Sequence, residues 1–234
     1  MVASKFLNPK NDVAFRRIFG TEKNKDILIH FINDVLGLSG DDIIKEVKFL
    51  SPIQEPDIAA KKQSVIDVLC SNEKGERIIV EMQVSPQRGF EKRALYYASK
   101  AYFRQLNRGK DIDGQYANLK RVIFIAISDY IIFKNKAAFK SDHIILDKAT
   151  HENDLKDFYF AFLELPKFKA DDIDKLSNML EKWCYYFKHA EETSEEDLQK
   201  IIGSDVVIKR AYDEINQFNW TEQELEIYEQ EIKR

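Results

Sequence analysis

Two acidic residues stand inside apolar runs, where charge is costly: Asp67 in Val65-Ile66-Asp67-Val68-Leu69 and Glu81 in Ile79-Val80-Glu81-Met82. A carboxylate taken out of water without a partner loses much of its hydration energy, so such placements need compensation. Both runs read as strands, and Asn72-Glu73-Lys74-Gly75-Glu76 between them has the polar and glycine content of a hairpin turn. With an odd-numbered loop centred on Lys74, Asp67 faces Glu81 directly, their Cβ atoms about 5 Å apart. An even-numbered loop puts Met82 opposite Asp67 instead. Two like charges held that close raise one pKa, and a divalent cation offsets the repulsion directly. Hard oxygen ligands with open water positions suit Mg2+, with Mn2+ as a substitute. Gln83 shares the strand face of Glu81, where its amide can orient a water or a phosphate oxygen. A solvated acidic face neutralised by Lys or Arg is the other reading of this pair taken alone.

The helix after the hairpin offers a second signal. Arg93, Tyr97, Lys100, Arg104 and Arg108 follow at steps of three or four, which is one helical face. A basic stripe carrying a tyrosine can hold a phosphate backbone, and an ordinary solvated face has the same pattern. Arg93 and Tyr97 stand nearest the strand end. The four histidines, His30, His143, His151 and His189, show no ligand pairing, and phosphate-binding glycine loops and paired CxxC motifs are absent. Cys70 and Cys184 lie in apolar or aromatic surroundings and read as reduced core thiols of a cytoplasmic protein.

These residues need a scaffold. The chain has 234 residues, 44% hydrophobic and 32% charged, enough for a full core. No apolar run approaches the roughly 20 residues of a membrane-spanning helix. The net charge of −4 hides an asymmetry. Residues 1–110 carry 19 basic against 14 acidic side chains, and residues 111–234 carry 17 against 26. The first part can therefore present positive potential to nucleic acid.

Asn11 offers a cap for a first helix ending at Gly20, and a second helix spans about 25–35 before Gly37. Strands are expected over 43–50, 63–71, 77–85, 120–129, 143–146 and 157–165, with a loop marked by Pro52 and Pro56 and a helix over 89–108. Phe90, Ala94, Ala98, Ala101 and Gln105 form the inner side of that helix. The continuous run Val122 to Ile127 suits a strand buried on both faces. After Pro166 the pattern turns helical: a helix over 171–189, another helix or pair of helices after a cap at Ser194, and a charged amphipathic helix from Thr221 that offers a surface for homo-oligomer formation.

Asp67 and Glu81-Met82-Gln83 on consecutive strands followed by a helix resemble the PD-(D/E)XK nuclease superfamily. The opening Lys10-Asn11-Asp12-Val13-Ala14-Phe15-Arg16-Arg17-Ile18-Phe19-Gly20 resembles the recombination-promoting nuclease/transposase family within it. So do Arg93-Ala94-Leu95-Tyr96-Tyr97-Ala98-Ser99-Lys100 and Phe160-Ala161-Phe162-Leu163-Glu164-Leu165-Pro166-Lys167-Phe168. The resemblance implies an α/β restriction-endonuclease-like core, a mixed central sheet flanked by helices, over residues 1–168. A helical C-terminal section, 169–234, follows as part of that domain or as an appendage. It also implies a Mg2+-dependent DNA endonuclease in which Asp67 and Glu81 match the metal-binding acids. Asp12 would be a further acid from the first helix, with the macrodipole-favoured helix acid as its plain alternative. Gln83 stands where the superfamily has lysine, and an amide supplies no positive charge. A nucleic-acid-binding module without catalysis on the same fold is therefore the competing expectation.

Overall fold

The computed structural model describes residues 4–54, 64–106, 116–169, 172–203 and 205–232. The chain opens with α1 (Asp12–Phe19) and α2 (Lys25–Leu36). Strands β1 (Val47–Phe49), β2 (Ile53–Gln54), β3 (Ser64–Val65), β4 (Val68–Asn72) and β5 (Arg77–Gln83) precede α3 (Phe90–Phe103). Next come β6 (Val122–Ser128), β7 (Lys140–Ile144) and β8 (Phe158–Glu164), then α4 (Met179–His189), α5 (Glu195–Ile202), α6 (Val206–Glu214) and α7 (Glu222–Ile232). No helix among the described residues is long and apolar enough to cross a membrane.

The chain forms two compact units, Lys45–Glu164 and a second built from Met1–Ile44 with Leu165–Arg234. The helices of the first 44 residues, expected with the sheet, thus group with the C-terminal helices. Aromatic packing accounts for this. Phe15 and Phe19 of α1 and Phe31 of α2 surround Trp183 and Phe187 of α4, with ring centroids 5.4 to 6.3 Å apart. Burying rings of this size contributes more than any local propensity.

The sheet unit is mixed α/β, as expected. Six strands run in the order β1-β4-β5-β6-β8-β7, with β5, β6 and β8 parallel and the outer strands antiparallel to their neighbours. β2 and β3 form a separate two-stranded pair. All seven residues of β6 are buried, which explains its unbroken apolar run. On one sheet face Ile79, Phe124, Ala126, Phe160 and Phe162 pack in a core with Phe90, Ala94, Ala98 and Ala101 of α3. The alanines let the helix approach closely, so its inner side is as the spacing predicts. Gln105 is only half-buried and bonds the backbone of Lys120.

Several elements are shorter than expected, each for a visible reason. Strand 43–50 is reduced to Val47–Phe49 because Asn33 takes both backbone groups of Ile44, N–H to Oδ1 and Nδ2 to C=O, each at 2.9 Å. Strand 63–71 is broken at Ile66-Asp67, where side chains replace the ladder; Gln63 lies outside the described residues. Beside Pro52, Ile53 and Gln54 pair with Ser64 and Val65 where a plain loop was expected, and Pro56 lies outside the described residues. Helix 171–189 starts only at Met179 under an Asn178 cap, since Asp172 caps a separate short turn. The last sheet-edge strand lies at Lys140–Ile144, upstream of the expected 143–146. Ser194 caps α5 as predicted, accepting the Asp197 N–H at 3.1 Å.

Candidate active site

The hairpin decides whether the two acids meet. β4 and β5 pair Val68 with Val80, Leu69 with Ile79 and Ser71 with Arg77, the odd register centred on Lys74. Gly75 adopts φ +81°, and Asn72 Oδ1 accepts the N–H groups of Lys74 and Glu76, so the turn is fixed by its own side chain. One step past Val68–Val80 the backbone ladder stops, and the carboxylates continue it. Glu81 Oε1 accepts the Asp67 N–H at 3.2 Å, and Asp67 Oδ2 accepts the Met82 N–H at 3.0 Å. Each acid thus satisfies a backbone donor of the opposite strand, which holds both side chains side by side. Glu81 is only 4% exposed, a carboxyl in a nearly dry position.

Arg93, one turn into α3, reaches this pair. Its Nη2 lies 3.7 Å from Glu81 Oε2 and donates to Gln83 Oε1, while Nη1 donates to Gln87. The guanidinium stacks over Phe90 at 4.9 Å and Tyr97 at 5.7 Å, so its orientation is set by packing as well as by charge. Gln83 Nε2 donates to the Ser85 carbonyl at 3.2 Å. Burial above all, then the Glu81 carboxylate, raises the Tyr97 hydroxyl above its ordinary pKa; Arg93 opposes this and Asp67 adds to it. Tyr97 is therefore a protonated donor facing the acids.

The remaining candidates fall elsewhere. The stripe is not a uniformly solvated face: Tyr97 and Lys100 are 8% and 7% exposed, because α3 turns this flank partly toward the sheet. The Lys100 ammonium lies 5.8 Å from the Tyr96 ring centroid, and Arg104 is exposed at the helix end. Arg108 lies outside the described residues. Asp12 sits exposed in the first turn of α1, in the other compact unit.

One feature of the site was missed in the sequence. Register places Gln83, Ser128 and Glu164 in one row across β5, β6 and β8, two residues beyond Glu81. Glu164, fully buried, accepts the Ile132 and Phe133 N–H groups at 2.6 and 2.9 Å and ties down the loop after β6. Ser128 Oγ bonds the Tyr130 backbone, and the Gln83 carbonyl accepts the Asp129 N–H at 2.9 Å. The signal for Glu164 was the one used for Glu81: an acid inside an apolar strand run.

Among the described residues, no group of three or more His, Cys, Asp or Glu side chains is arranged to hold a metal ion. Asp67 and Glu81 supply two adjacent hard oxygen donors, which suits a cation that keeps several waters or substrate oxygens in its shell. No curated protein and no solved structure matches the chain. Opposed acids on a hairpin, a helix whose arginine reaches them and a mixed sheet that carries both are consistent with one nuclease-like α/β fold. A family model for PD-(D/E)XK nuclease family transposases spans residues 9–234, and the chain belongs to that family.

Proposed function

We propose that the chain is a metal-dependent DNA endonuclease that hydrolyses phosphodiester bonds, in a cytoplasmic setting linked to recombination or mobile elements. The observation that carries this reading is the pair of crossed hydrogen bonds that lock Asp67 beside Glu81. Backbone donors hold the two carboxyl groups side by side, and adjacent hard oxygen donors of this kind suit a divalent cation. Mg2+, or Mn2+ in its place, bound there supplies an acidified water and offsets charge growing on the phosphate. Asp67 and Glu81 hold that cation. Gln83 orients the attacking water through its amide. Arg93 contributes the positive charge that an amide lacks, from a helix position within reach of Gln83 and Glu81. Tyr97, kept protonated, donates to a phosphate oxygen, and Arg104, exposed at the end of α3, extends the DNA contact. Ile227 and Ile232, 46% and 64% exposed on α7, support assembly into a homo-oligomer.

A second reading, a nucleic-acid-binding module without catalysis, is favoured by Gln83, whose amide oxygen and nitrogen both have protein partners. Cleavage of supercoiled plasmid by wild type and Glu81→Gln, with Mg2+ and with EDTA, separates the two. The nuclease reading requires nicking that depends on both the metal and Glu81. DNA binding without cleavage under any divalent metal replaces it with the binding module.

A further inference from the structure

The edge strand β7 carries a second cluster on the same sheet face as the two acids. Ser141 pairs with Phe162, Phe162 with Ala126, and Ala126 with Glu81, so Ser141 and Glu81 occupy one row three strands apart. At 4.7–4.9 Å per strand that is about 14 Å. Measured along the axis, about 14 Å is the rise of roughly four nucleotides in one B-form strand.

His143, two residues on, faces the same way, its ring 4.9 Å from Phe133 and 5.3 Å from Phe162. Two polar groups converge on its Nε2: Lys136 Nζ at 3.3 Å and Ser141 Oγ at 3.1 Å. A neutral imidazole nitrogen offers one lone pair, while lysine has only donors and serine carries a donor of its own. Two donor-capable groups, Lys136 and Ser141, thus crowd one ring nitrogen. An oxyanion among them would accept from all three once Nε2 carries a proton.

Nearby acids are already committed. Asp142 is paired with Lys140 at 2.8 Å, and Glu164 accepts the backbone of Ile132 and Phe133. Those Glu164 bonds also fix the loop that carries Lys136, so the ammonium is delivered by a tethered segment.

We infer that Lys136, Ser141 and His143 form a phosphate-binding subsite that takes a non-scissile phosphodiester of the polynucleotide cut at Asp67 and Glu81. This rests on the nuclease reading for the identity of the ligand, and on the cluster's own geometry for its phosphate chemistry. The charged groups that act on His143 are Lys136 from the loop, its strand neighbour Asp142 and Glu164 on β8. Burial first, then Lys136, holds His143 below its ordinary pKa, with Asp142 and Glu164 pulling the other way. A bound phosphate reverses that balance, so its capture takes up a proton.

The test uses the full chain without metal, so it is readable whether or not the protein cleaves. The His143 ring is followed by NMR against pH, with and without inorganic phosphate. Phosphate should raise its pKa by about one unit, and Lys136→Gln should remove most of that rise. A His143 resonance indifferent to phosphate overturns the subsite. Duplex binding is then measured against salt concentration. Lys136→Gln should reduce the slope of log affinity against log salt by about one, while Lys48→Gln, exposed on the opposite sheet edge, leaves it unchanged. An unchanged slope for Lys136→Gln, with phosphate still raising the His143 pKa, means the site takes free phosphate and overturns its assignment to the backbone. Failure of the nuclease reading shows differently, as plasmid left intact with every metal while both of these arms still report.

Discussion

The two units treat buried carboxylates in opposite ways. In the helical unit acids are neutralised by cations. Glu214 is bridged by Arg17 at 3.3 Å and Lys23 at 2.6 Å, and Arg17 also bonds Glu224 at 2.6 Å while lying over Trp220. Asp34 accepts from Trp183 Nε1 and sits beside His30 Nδ1, each at 2.7 Å. In the sheet unit Asp67, Glu81 and Glu164 accept backbone N–H groups, and Arg93 lies 3.7 Å from Glu81. A carboxylate met by a cation is spent on stability. One met chiefly by amide dipoles is held in place at a fixed angle, as a cation site requires.

Substitutions that remove charge while keeping shape should divide along this line. The largest effect belongs to Glu81→Gln and Asp67→Asn, which should lower plasmid cleavage by roughly 1000-fold or more. Both amides retain an acceptor for the crossed hydrogen bond, and relief of like-charge repulsion should leave the urea midpoint unchanged or higher. Asp67→Ala is a poorer probe, since it orphans the buried Met82 N–H at about 1–3 kcal/mol. Loss of stability without loss of cleavage in the amide variants would erase the contrast between the units.

Arg93→Ala comes next, with an expected loss of roughly 100-fold in cleavage rate, partly recovered by Arg93→Lys. Full activity in Arg93→Ala would move the missing positive charge to another residue. Glu214→Gln should do the reverse of Glu81→Gln: about 1–3 kcal/mol off the unfolding free energy, discounted because Lys23 is 71% exposed, with cleavage per folded molecule unchanged.

The pH dependence of stability sharpens the same division. The His30 pKa is raised, chiefly by its hydrogen bond to Asp34, against burial and with help from Asp205. Its stabilisation is therefore complete below the ordinary histidine value and lost as pH rises through the higher folded value. Glu214 is lowered: burial works against this, but Lys23, Asn24 and Arg17 together outweigh it. Its contribution is present above the ordinary glutamate value and lost as pH falls through the lower folded value. Urea midpoints should drop on both sides, and His30→Gln should flatten the alkaline side alone. The smallest effect expected is Ser194→Ala, which removes the α5 cap at about 1 kcal/mol and should touch neither cleavage nor DNA binding.

Much of this was legible from local patterns. The hairpin, the cap at Asn11, the stop at Gly37 and the buried run of β6 follow from periodicity and turn chemistry that act over a few residues. The acids Asp67 and Glu81 were visible because charge inside an apolar strand has few explanations. The stripe on α3 was legible as a spacing but not as an environment. Helical periodicity says which residues share a flank, and only packing against the sheet decides that Lys100 is covered while Arg104 stays exposed. Glu164 and Ser128 join the row of Gln83 only through register across β6 and β8, and Lys136 meets His143 only once the loop after β6 is tied to Glu164. The grouping of the first two helices with the last four was set by aromatic rings far apart in the chain.

The sequence by itself determined which residues carry charge into apolar strands, where the turns fall, and which helix faces are apolar. These are short-range consequences of side-chain type. The turn Asn72–Glu76 closes locally in the odd register that sets Asp67 opposite Glu81, but tertiary structure alone decided that Ser128 and Glu164 line up with Gln83 across β6 and β8. It also decided which carboxylates are neutralised by cations and which are held by amides. Those outcomes depend on partners brought together across strands and helices, and spacing along one segment carries no information about them.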